Sequence, residues 1–356
     1  MNIEIVTTPN DCLKETGMGT ANACSAIMEA LERSGRNAAV TVCETIDDLE
    51  KICARKPDIV MLAAKYIKLE TGKIIWLSSF FEEHSIFYTG SAKKELLFDS
   101  NKVAAKELVR SRGIQTAKFF LALPGDYTVE DELPLSYPLF VKPLSAANGN
   151  GIDSDSVVSN FEEYQAKIQA LSDTYCEPAL VEDYLNGREF TVSIIQGSRD
   201  LVLAPIEIIP PIVEGRRILS AKTKTLNNEK LAEITRTGTL LEVAEMARKS
   251  FLAIGARDYA RIDIKMDNHG KCHFMEANLV PGMTPRSSYF PRAFEIHSGF
   301  SYDEVVRLII QGAINRKKRG TATAPSEPAI ADNSNVALPV GRTVGLLPSP
   351  GSLTPS

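Results

Sequence analysis

The sequence predicts a mixed α/β and α+β protein, in which a parallel-sheet domain comes first and antiparallel strands follow. Strand-like and helical segments alternate over the first hundred residues, as in a parallel sheet with both faces covered. The last two strand-like runs flank Asp267–Gly270, a turn sequence that favours a hairpin. From Gly320 onward the chain is small, polar and rich in proline, so we expect a disordered tail at 320–356.

The first unit, residues 1–100, is predicted from hydrophobic spacing and from residues that stop helices. Ala23, Ile27 and Leu31 have helical spacing, and Gly35 ends that helix. The predicted elements of the unit are strand Ile3–Thr7, helix Asn22–Ser34, strand Ala38–Cys43, helix Asp47–Ala54, strand Asp58–Leu62, helix Ile74–Glu83 and strand Ile86–Tyr88.

Two further units, residues 101–183 and 184–319, follow from the same patterns. Gly113 ends the first helix of the second unit, and the last helix of the third unit is amphipathic. The predicted elements are helix Lys102–Arg112, strands Lys118–Leu123 and Leu139–Lys142, helix Phe161–Leu171, strands Ala179–Tyr184, Phe190–Gln196 and Leu201–Ile209, helix Leu231–Gly255, strands Ala260–Met266 and Cys272–Asn278, and helix Tyr302–Arg316.

Composition excludes several classes of function. A net charge of -5 gives no reason to expect nucleic acid as the main partner. No apolar run is long enough to span a membrane, and the N-terminus lacks the pattern of a secretory signal. The six cysteines are scattered, which is typical of a reducing compartment, and the cytoplasm is the expected location.

Three oxygen-bearing side chains stand on the two apolar strands of the predicted hairpin. Glu276 and Asn278 lie two residues apart and therefore leave the same face of their strand. Pairing of the strands can bring Asp263 beside them. Two carboxylates and an amide oxygen suit Mg²⁺ that keeps phosphate or water ligands. The alternative is a solvated strand face with a chance pair of charges.

A lysine and a glycine-bearing loop form a second candidate cluster. Lys142 ends a buried strand, where a cation is costly unless it meets an anion. The backbone N–H groups of the following loop, Ser145–Gly151, could fold over phosphates, although an ordinary surface turn would look the same. The segment Val181–Glu189 offers a strand edge for an adenine and carboxylates for ribose hydroxyls. No G-x-x-x-x-G-K-[ST] loop is present.

In this order the motifs resemble the ATP-grasp superfamily and, within it, the D-alanine–D-alanine ligase family. The resemblance is close over residues 86–316 and loose over the first 85. It is carried by Phe87–Ser91, Asp99–Lys102, Lys106, Lys142-Pro143, Glu182–Glu189, Arg261–Asp263 and, most specifically, Glu276–Thr284. It implies an N-terminal pre-ATP-grasp domain, a central ATP-grasp lobe and a C-terminal lobe with the metal site.

The resemblance also implies the ligands and the residues that bind them. ATP and two Mg²⁺ ions, replaceable by Mn²⁺, would be the cofactors, amino acids the small-molecule substrates, and a homodimer a common assembly. Lys102 and Lys142 would bind phosphates, Glu182 with the backbone of Asp183 and Leu185 would hold adenine, Glu189 would hold the ribose, Asp263, Glu276 and Asn278 would ligate magnesium, Arg261 would stabilise developing charge, Lys222 would reach the γ-phosphate, and Gly282 with Ser287 or Ser288 would hold the second substrate's carboxylate.

The departures from the family pattern fall where the first substrate and the closed lid would lie. The usual N-terminal turn is replaced by Thr8–Glu15, in which Glu15 is the candidate for gripping the first substrate's ammonium. The central loop has Ala147–Asn150, and Arg217–Leu219 precede the loop lysine. The leading hypothesis is therefore an ATP-dependent ligase of two amino acids with an altered first substrate. A genuine D-alanine–D-alanine ligase and a non-catalytic ATP-binding regulator are the alternatives.

Overall fold

The computed structural model describes residues 1–9, 17–145, 149–197, 200–213 and 215–319. Glu15 and the predicted tail at 320–356 lie outside these ranges, so neither expectation can be compared with the structure. Within the described residues, no helix combines the length and apolar character needed to cross a membrane.

The N-terminal unit is built on a three-stranded parallel sheet, as the sequence predicts. Strand order is β2-β1-β3, and Ile3 lies opposite Ala38 and Ile59. The predicted strand at Ile86–Tyr88 is reduced to a single parallel bridge between Val60 and Tyr88. The elements are β1 (Asn2–Thr7), α1 (Ala21–Arg33), β2 (Asn37–Val42), α2 (Ile46–Arg55), β3 (Ile59–Leu62), β4 (Tyr66–Lys68), β5 (Ile74–Trp76) and α3 (Leu77–Glu83).

The helix predicted for Ile74–Glu83 was wrong over its first three residues. Ile74–Trp76 forms β5 and pairs antiparallel with β4. Ile75 faces Ile67, which is fully buried, and the rings of Tyr66 and Trp76 meet edge to face at 5.4 Å. Cross-strand packing of β-branched and aromatic side chains thus outweighs the helical pattern.

The central unit is a four-stranded antiparallel sheet of order β6-β9-β7-β8, with a long helix packed on it. Its core includes Val141, Tyr164, Ile168 and Val181, all buried. The elements are α4 (Lys93–Ser100), which the sequence did not predict, α5 (Lys102–Ser111), β6 (Phe119–Ala122), β7 (Leu139–Pro143), β8 (Val157–Val158), α6 (Phe161–Tyr175) and β9 (Ala179–Asp183), with two short 3-10 turns between them.

The C-terminal unit is a five-stranded antiparallel sheet of order β14-β11-β10-β15-β16. The predicted hairpin is present, and Gly270 N–H closes its turn on Asp267 O at 3.1 Å. The elements are β10 (Glu189–Gln196), β11 (Leu201–Ile209), β12 (Ile212–Val213), β13 (Arg216–Arg217), α7 (Ala221–Leu226), β14 (Lys230–Glu233), α8 (Thr237–Ile254), β15 (Tyr259–Met266), β16 (Cys272–Asn278), α9 (Tyr289–Ser298) and α10 (Tyr302–Lys318).

The long helix predicted for Leu231–Gly255 was wrong at its start. Residues Lys230–Glu233 form β14 and satisfy the edge of β11, so α8 begins only at Thr237. Gly255, with φ 76°, ends the helix in the left-handed conformation that glycine adopts without strain. Helix α9 was not predicted.

The N-terminal and C-terminal units share one hydrophobic core, whereas the central sheet has its own. Ile5 and Ile27 belong to the same buried cluster as Phe190, Ile262 and Phe290. Helix α5 also packs into this shared core through buried residues, although the sequence division at residue 101 assigns it to the central unit. The domain boundaries themselves stay a prediction.

Candidate active site

One face of the C-terminal sheet carries a row of polar side chains across three neighbouring strands. Asp263 on β15 faces Glu276 on β16, and Arg261 faces Asn278. A bulge between Asp263 and Ile264 leaves Met275 as an extra residue and ends this register. The structure thus brings together the three oxygen-bearing side chains that were expected to meet.

Asp263 is the most heavily bonded member of this row. Arg261 donates to both of its oxygens, from Nε at 3.0 Å and from a terminal nitrogen at 2.9 Å. Thr191 Oγ1 donates at 2.6 Å, and the Asn278 amide nitrogen lies 3.3 Å away. This amide orientation turns the Asn278 oxygen away from Asp263. The attraction of Asp263 outweighs burial and raises the pKa of Arg261, which stays a cation.

Glu276 is a half-buried carboxylate that nearby cations keep ionised. Burial alone would raise its pKa, but Lys102, Lys224, Lys142 and Arg261 together lower the pKa to about 2. A site that collects this much positive charge around one carboxylate has a surplus available for an anionic ligand. Polyphosphates and acyl phosphates belong to that class.

A buried ion-pair cluster lies beside this site in the central unit. Glu182 is 1% exposed and contacts Lys106 Nζ at 2.8 Å and Lys142 Nζ at 2.7 Å. Burial opposes ionisation, yet the two lysines lower the pKa of Glu182 to about 2. Sequence reasoning gave Lys106 no role. Its place in a helix beside Lys102 was the available signal, since the two stand one turn apart.

The segment after Glu182 leaves the sheet, and some of its backbone N–H groups have no backbone partner among the described residues. Asp183 N–H donates to Lys118 O at 3.0 Å, while no backbone partner among the described residues is recorded for Leu185 N–H. Burial raises the pKa of Asp183. Glu189 lies on the polar face at the start of β10 and contacts Lys265 Nζ at 2.9 Å.

A cavity of about 570 Å³ opens above the polar face, in the range typical of small-molecule sites. It brings together residues from all three units, including Lys102, Arg261, Glu276 and Asn278. Lys142, Glu182, Asp183, Leu185, Glu189, Asp263 and Lys222 do not line it. Further lining residues are Lys65, Tyr66, Asp99, Lys224, Glu229, Gly282, Ser287, Ser288 and Tyr289.

Two loops approach each other over the cavity. A Cβ on Gly149, whose φ is +78°, would lie 3.0 Å from Ala221 N, so the central loop and the start of α7 are in close contact. In α7, Lys222 is exposed, whereas Lys224 is partly buried and lines the cavity. The structure therefore brings Lys224, and not the predicted Lys222, to Glu276.

The residues predicted to hold the second substrate line one wall of the cavity. Ser288 Oγ accepts from Thr284 N at 2.9 Å, and a Cβ on Gly282 would come within 2.7 Å of it. Ser287 Oγ is 3.4 Å from Asn227 Oδ1. A side chain at position 282 would therefore displace the Ser288 hydroxyl from its place beside Thr284.

The cavity is also lined by residues to which sequence reasoning gave no role. Lys65 Nζ contacts Asp99 Oδ1 at 2.9 Å and Ser100 Oγ at 2.8 Å. Asp99 also accepts from Leu279 N, directly after the Asn278 amide. Asp99 thus connects α4 to Lys65 and to the end of β16. Lys65 could have been selected from the sequence because it is a charged residue that closely follows the apolar strand β3.

The donor set fits a hard cation rather than a zinc-type site. The described residues contain no group of three or more histidine, cysteine or acidic side chains that could hold a metal. Glu276, Asp263 and the Asn278 amide supply oxygens only, which is the chemistry Mg²⁺ prefers when phosphate oxygens complete the shell. Asp263 would share its carboxylate with Arg261.

Comparisons with known proteins found relatives of this chain. The family model "D-ala D-ala ligase C-terminus" matches residues 108–311. A D-alanine–D-alanine ligase of Chlorobaculum tepidum is 31% identical over 276 residues, covering 74% of this chain and 72% of that protein. One of Geobacter sulfurreducens is 28% identical over 306 residues, covering 84% and 90%.

The fold is also shared with a solved structure. The crystal structure of the D-alanine–D-alanine ligase from Bacillus anthracis complexed with ATP superimposes with a TM-score of 0.69 at 21% identity. It covers 90% of this chain and 100% of that one. At this identity the likeness establishes the fold, with its N-terminal unit and two-lobed remainder.

Proposed function

Because this chain belongs to the D-alanine–D-alanine ligase family of ATP-grasp enzymes, we propose that it joins two amino acids through an acyl phosphate formed from ATP. The observation that carries the proposal is the polar face of β15 and β16, where Arg261, Glu276 and Asn278 line a cavity also lined by Lys102 and Lys224. The cavity is thus lined by one carboxylate, one amide oxygen and three cationic side chains from this set.

The nucleotide would lie between the central and C-terminal units. Lys102 and Lys142 would bind its phosphates, the free N–H of Leu185 and the backbone of Asp183 would recognise adenine, and Glu189 would bind the ribose. Glu182 would act by holding Lys106 and Lys142, since both of its oxygens are already in ion pairs. Lys224 is the better candidate than Lys222 for the γ-phosphate, because it lines the cavity.

Asp263, Glu276 and Asn278 would hold Mg²⁺, which neutralises phosphate charge during transfer. In the first step, a carboxylate oxygen of the first amino acid attacks the γ-phosphorus, and the bond to ADP breaks. Lys102 and Lys224 are suited to orient the phosphates. Transfer converts a poor leaving group, oxide, into a good one, phosphate.

In the second step, the amine of the second amino acid attacks the acyl carbon. The carbonyl oxygen becomes negative, and Arg261, held by Asp263, is suited to stabilise it. The bond between the acyl carbon and the bridging phosphate oxygen then breaks, phosphate leaves with the bonding electrons and the amine loses a proton. Water must be excluded or the acyl phosphate hydrolyses, and the contact of Gly149 with Ala221 supports a lid role for both loops.

The first substrate is proposed to differ from D-alanine. The N-terminal segment that contains Glu15 departs from the family pattern in sequence, and Lys65 and Tyr66 of the same unit line the cavity. Cytoplasmic location and a homodimer stay predictions.

The test is the purified full chain with ATP, Mg²⁺ and pairs drawn from a panel of D- and L-amino acids. ADP release and product mass are measured together. We expect a mixed dipeptide with an equal amount of ADP. D-alanine alone giving its dipeptide would favour the genuine D-alanine–D-alanine ligase, and ATP binding without ADP release for any pair would reject the ligase proposal.

A further inference from the structure

A buried acidic residue stands at the second-substrate end of the cavity. Glu229 directly precedes β14, is 7% exposed and lines the cavity together with Ser287 and Tyr289. It has no part in the steps described above. A carboxylate removed from water in this way is costly unless it has partners for its charge.

Only one of the two oxygens of Glu229 has a partner. Tyr289 Oη donates to Glu229 Oε1 at 2.6 Å. The other oxygen, Oε2, is shielded from solvent and has no hydrogen-bond partner in the described part of the chain. No lysine, arginine or histidine described in the structure forms an ion pair with Glu229, in contrast to the buried Glu182. The free oxygen is therefore available to a donor that enters with a ligand.

Tyr289 fixes the position of this carboxylate relative to the reacting centre. Burial and Glu229 both raise the pKa of Tyr289, so the phenol keeps its proton and remains the donor. The Arg261 guanidinium carbon lies 5.5 Å from the centre of the Tyr289 ring. Glu229 is thus tied, through one aromatic ring, to the arginine that faces the acyl carbon in the proposed reaction.

We propose that Glu229 selects a second substrate whose short side chain carries a hydrogen-bond donor, a hydroxyl or an ammonium group. This inference rests on the proposed function and on Ser287 or Ser288 holding the substrate's carboxylate. A donor on the substrate's side chain gives Glu229 Oε2 the partner it lacks, through a charge-assisted hydrogen bond. An apolar side chain of the same size leaves that oxygen buried and unpaired.

The experiment compares second substrates of matched size with a fixed first substrate identified by the amino-acid panel. Serine and 2-aminobutyrate differ by a hydroxyl against a methyl group, and 2,3-diaminopropionate supplies the ammonium. kcat/KM for each is measured by ADP release. We expect serine or 2,3-diaminopropionate to exceed 2-aminobutyrate by at least about tenfold. Which of the two is preferred identifies the donor.

The variants are Glu229→Gln, Glu229→Ala and, as a matched control, Glu233→Gln at the exposed end of β14. In Glu229→Ala, the ratio of kcat/KM for serine or 2,3-diaminopropionate to kcat/KM for 2-aminobutyrate should fall towards one. In Glu229→Gln, the ratio for 2,3-diaminopropionate should shrink. In the control, both ratios should persist. ATP binding by calorimetry establishes that each variant is folded.

Two results would overturn the inference while leaving the ligase proposal intact. One is an equal kcat/KM for serine, 2,3-diaminopropionate and 2-aminobutyrate in the unchanged protein. The other is a loss in Glu229→Ala that is the same for every second substrate, because Glu229 would then act on the amine that all of them share. Absence of ADP with every pair instead rejects the proposed function.

Discussion

At the scale of single residues, the protonation of the acidic side chains depends on the balance between burial and nearby charge. Glu276 is half-buried at the cavity and Glu182 is fully buried; burial favours the protonated form of both, yet clustered cations hold the pKa of each at about 2. Among the cations around Glu276, Lys102, Lys224 and Arg261 line a cavity, whereas the two lysines of Glu182 are in direct contact with it. We therefore propose that Glu276 takes part in the reaction, and that Glu182 holds the two lysines in position.

Replacing Glu276 by glutamine should abolish most of the activity with little effect on folding. The change keeps the shape and removes the charge proposed to bind Mg²⁺, so kcat/KM for ATP should fall by at least about a hundredfold. ADP release at several Mg²⁺ concentrations measures this. Glu83→Gln, on an exposed helix end, is the control. Activity within a factor of two of the unchanged protein would exclude Glu276 as a ligand.

The Glu182 cluster should make stability depend on pH in the acid range. Its folded pKa of about 2 lies below the ordinary 4.5, so the unfolded chain takes up the proton first. The stabilisation is complete above pH 4.5 and is lost as the pH falls towards 2. At pH 7, Glu182→Gln should lower the free energy of unfolding by about 3 kcal/mol, since two buried lysines lose their partner.

Urea unfolding at pH 6 and pH 3.5 measures this dependence. The unchanged protein should lose more stability between these values than Glu182→Gln does. Glu162→Gln, which is exposed, should follow the unchanged protein. Equal pH dependence in all three proteins would argue against the ion-pair cluster.

At the scale of elements, the short helix α7 decides which lysine reaches the site. Successive residues of a helix point in different directions, so Lys222 and Lys224 cannot both face the cavity. Sequence comparison with the family pattern selects Lys222. The structure turns Lys224 inward, where it is among the cations that lower the pKa of Glu276.

The two lysines can be separated by alanine substitution. Lys224→Ala should lower kcat by about tenfold to a hundredfold, because a charge proposed to stabilise the γ-phosphate is lost. Lys222→Ala should change kcat by less than about threefold, as expected for an exposed side chain. Saturating ADP-release assays measure both. A larger loss for Lys222→Ala would return the role to the residue that the family pattern indicates.

At the scale of the whole molecule, the shared core joins the first and last units of the chain. Arg316 on α10 forms an ion pair with Asp258 of the same unit at 2.8 Å. It also donates to Tyr88 O of the N-terminal unit at 2.6 Å. Asp258 also accepts from Gly90 N at 2.8 Å. This buried pair fixes the N-terminal unit against the C-terminal sheet and so keeps the cavity walls in register.

Removing one partner of this pair should destabilise the whole molecule. Arg316→Met leaves Asp258 buried without its cation, and the free energy of unfolding should fall by about 3 to 5 kcal/mol. Lys318→Met, two residues further along and exposed, should change it by less than about 0.5 kcal/mol. Thermal and urea unfolding provide the measurement. Equal stability of the two variants would mean that the pair does not couple the units.

The sequence by itself determined the order of most strands and helices, the family and the polar residues of β15 and β16. These features depend on local periodicity and on motifs, both of which are set by residues close together in the sequence. It failed at Ile74–Trp76 and Lys230–Glu233, where pairing with distant strands overrides local preference.

Only the tertiary structure decided the inward lysine of α7, the ion pairs of Glu182 and the free oxygen of Glu229. Each depends on burial and on partners far away in sequence: Lys106 meets Glu182, and Tyr289 meets Glu229. The cost of burying a charge, and hence its role, is fixed by neighbours that only folding assembles.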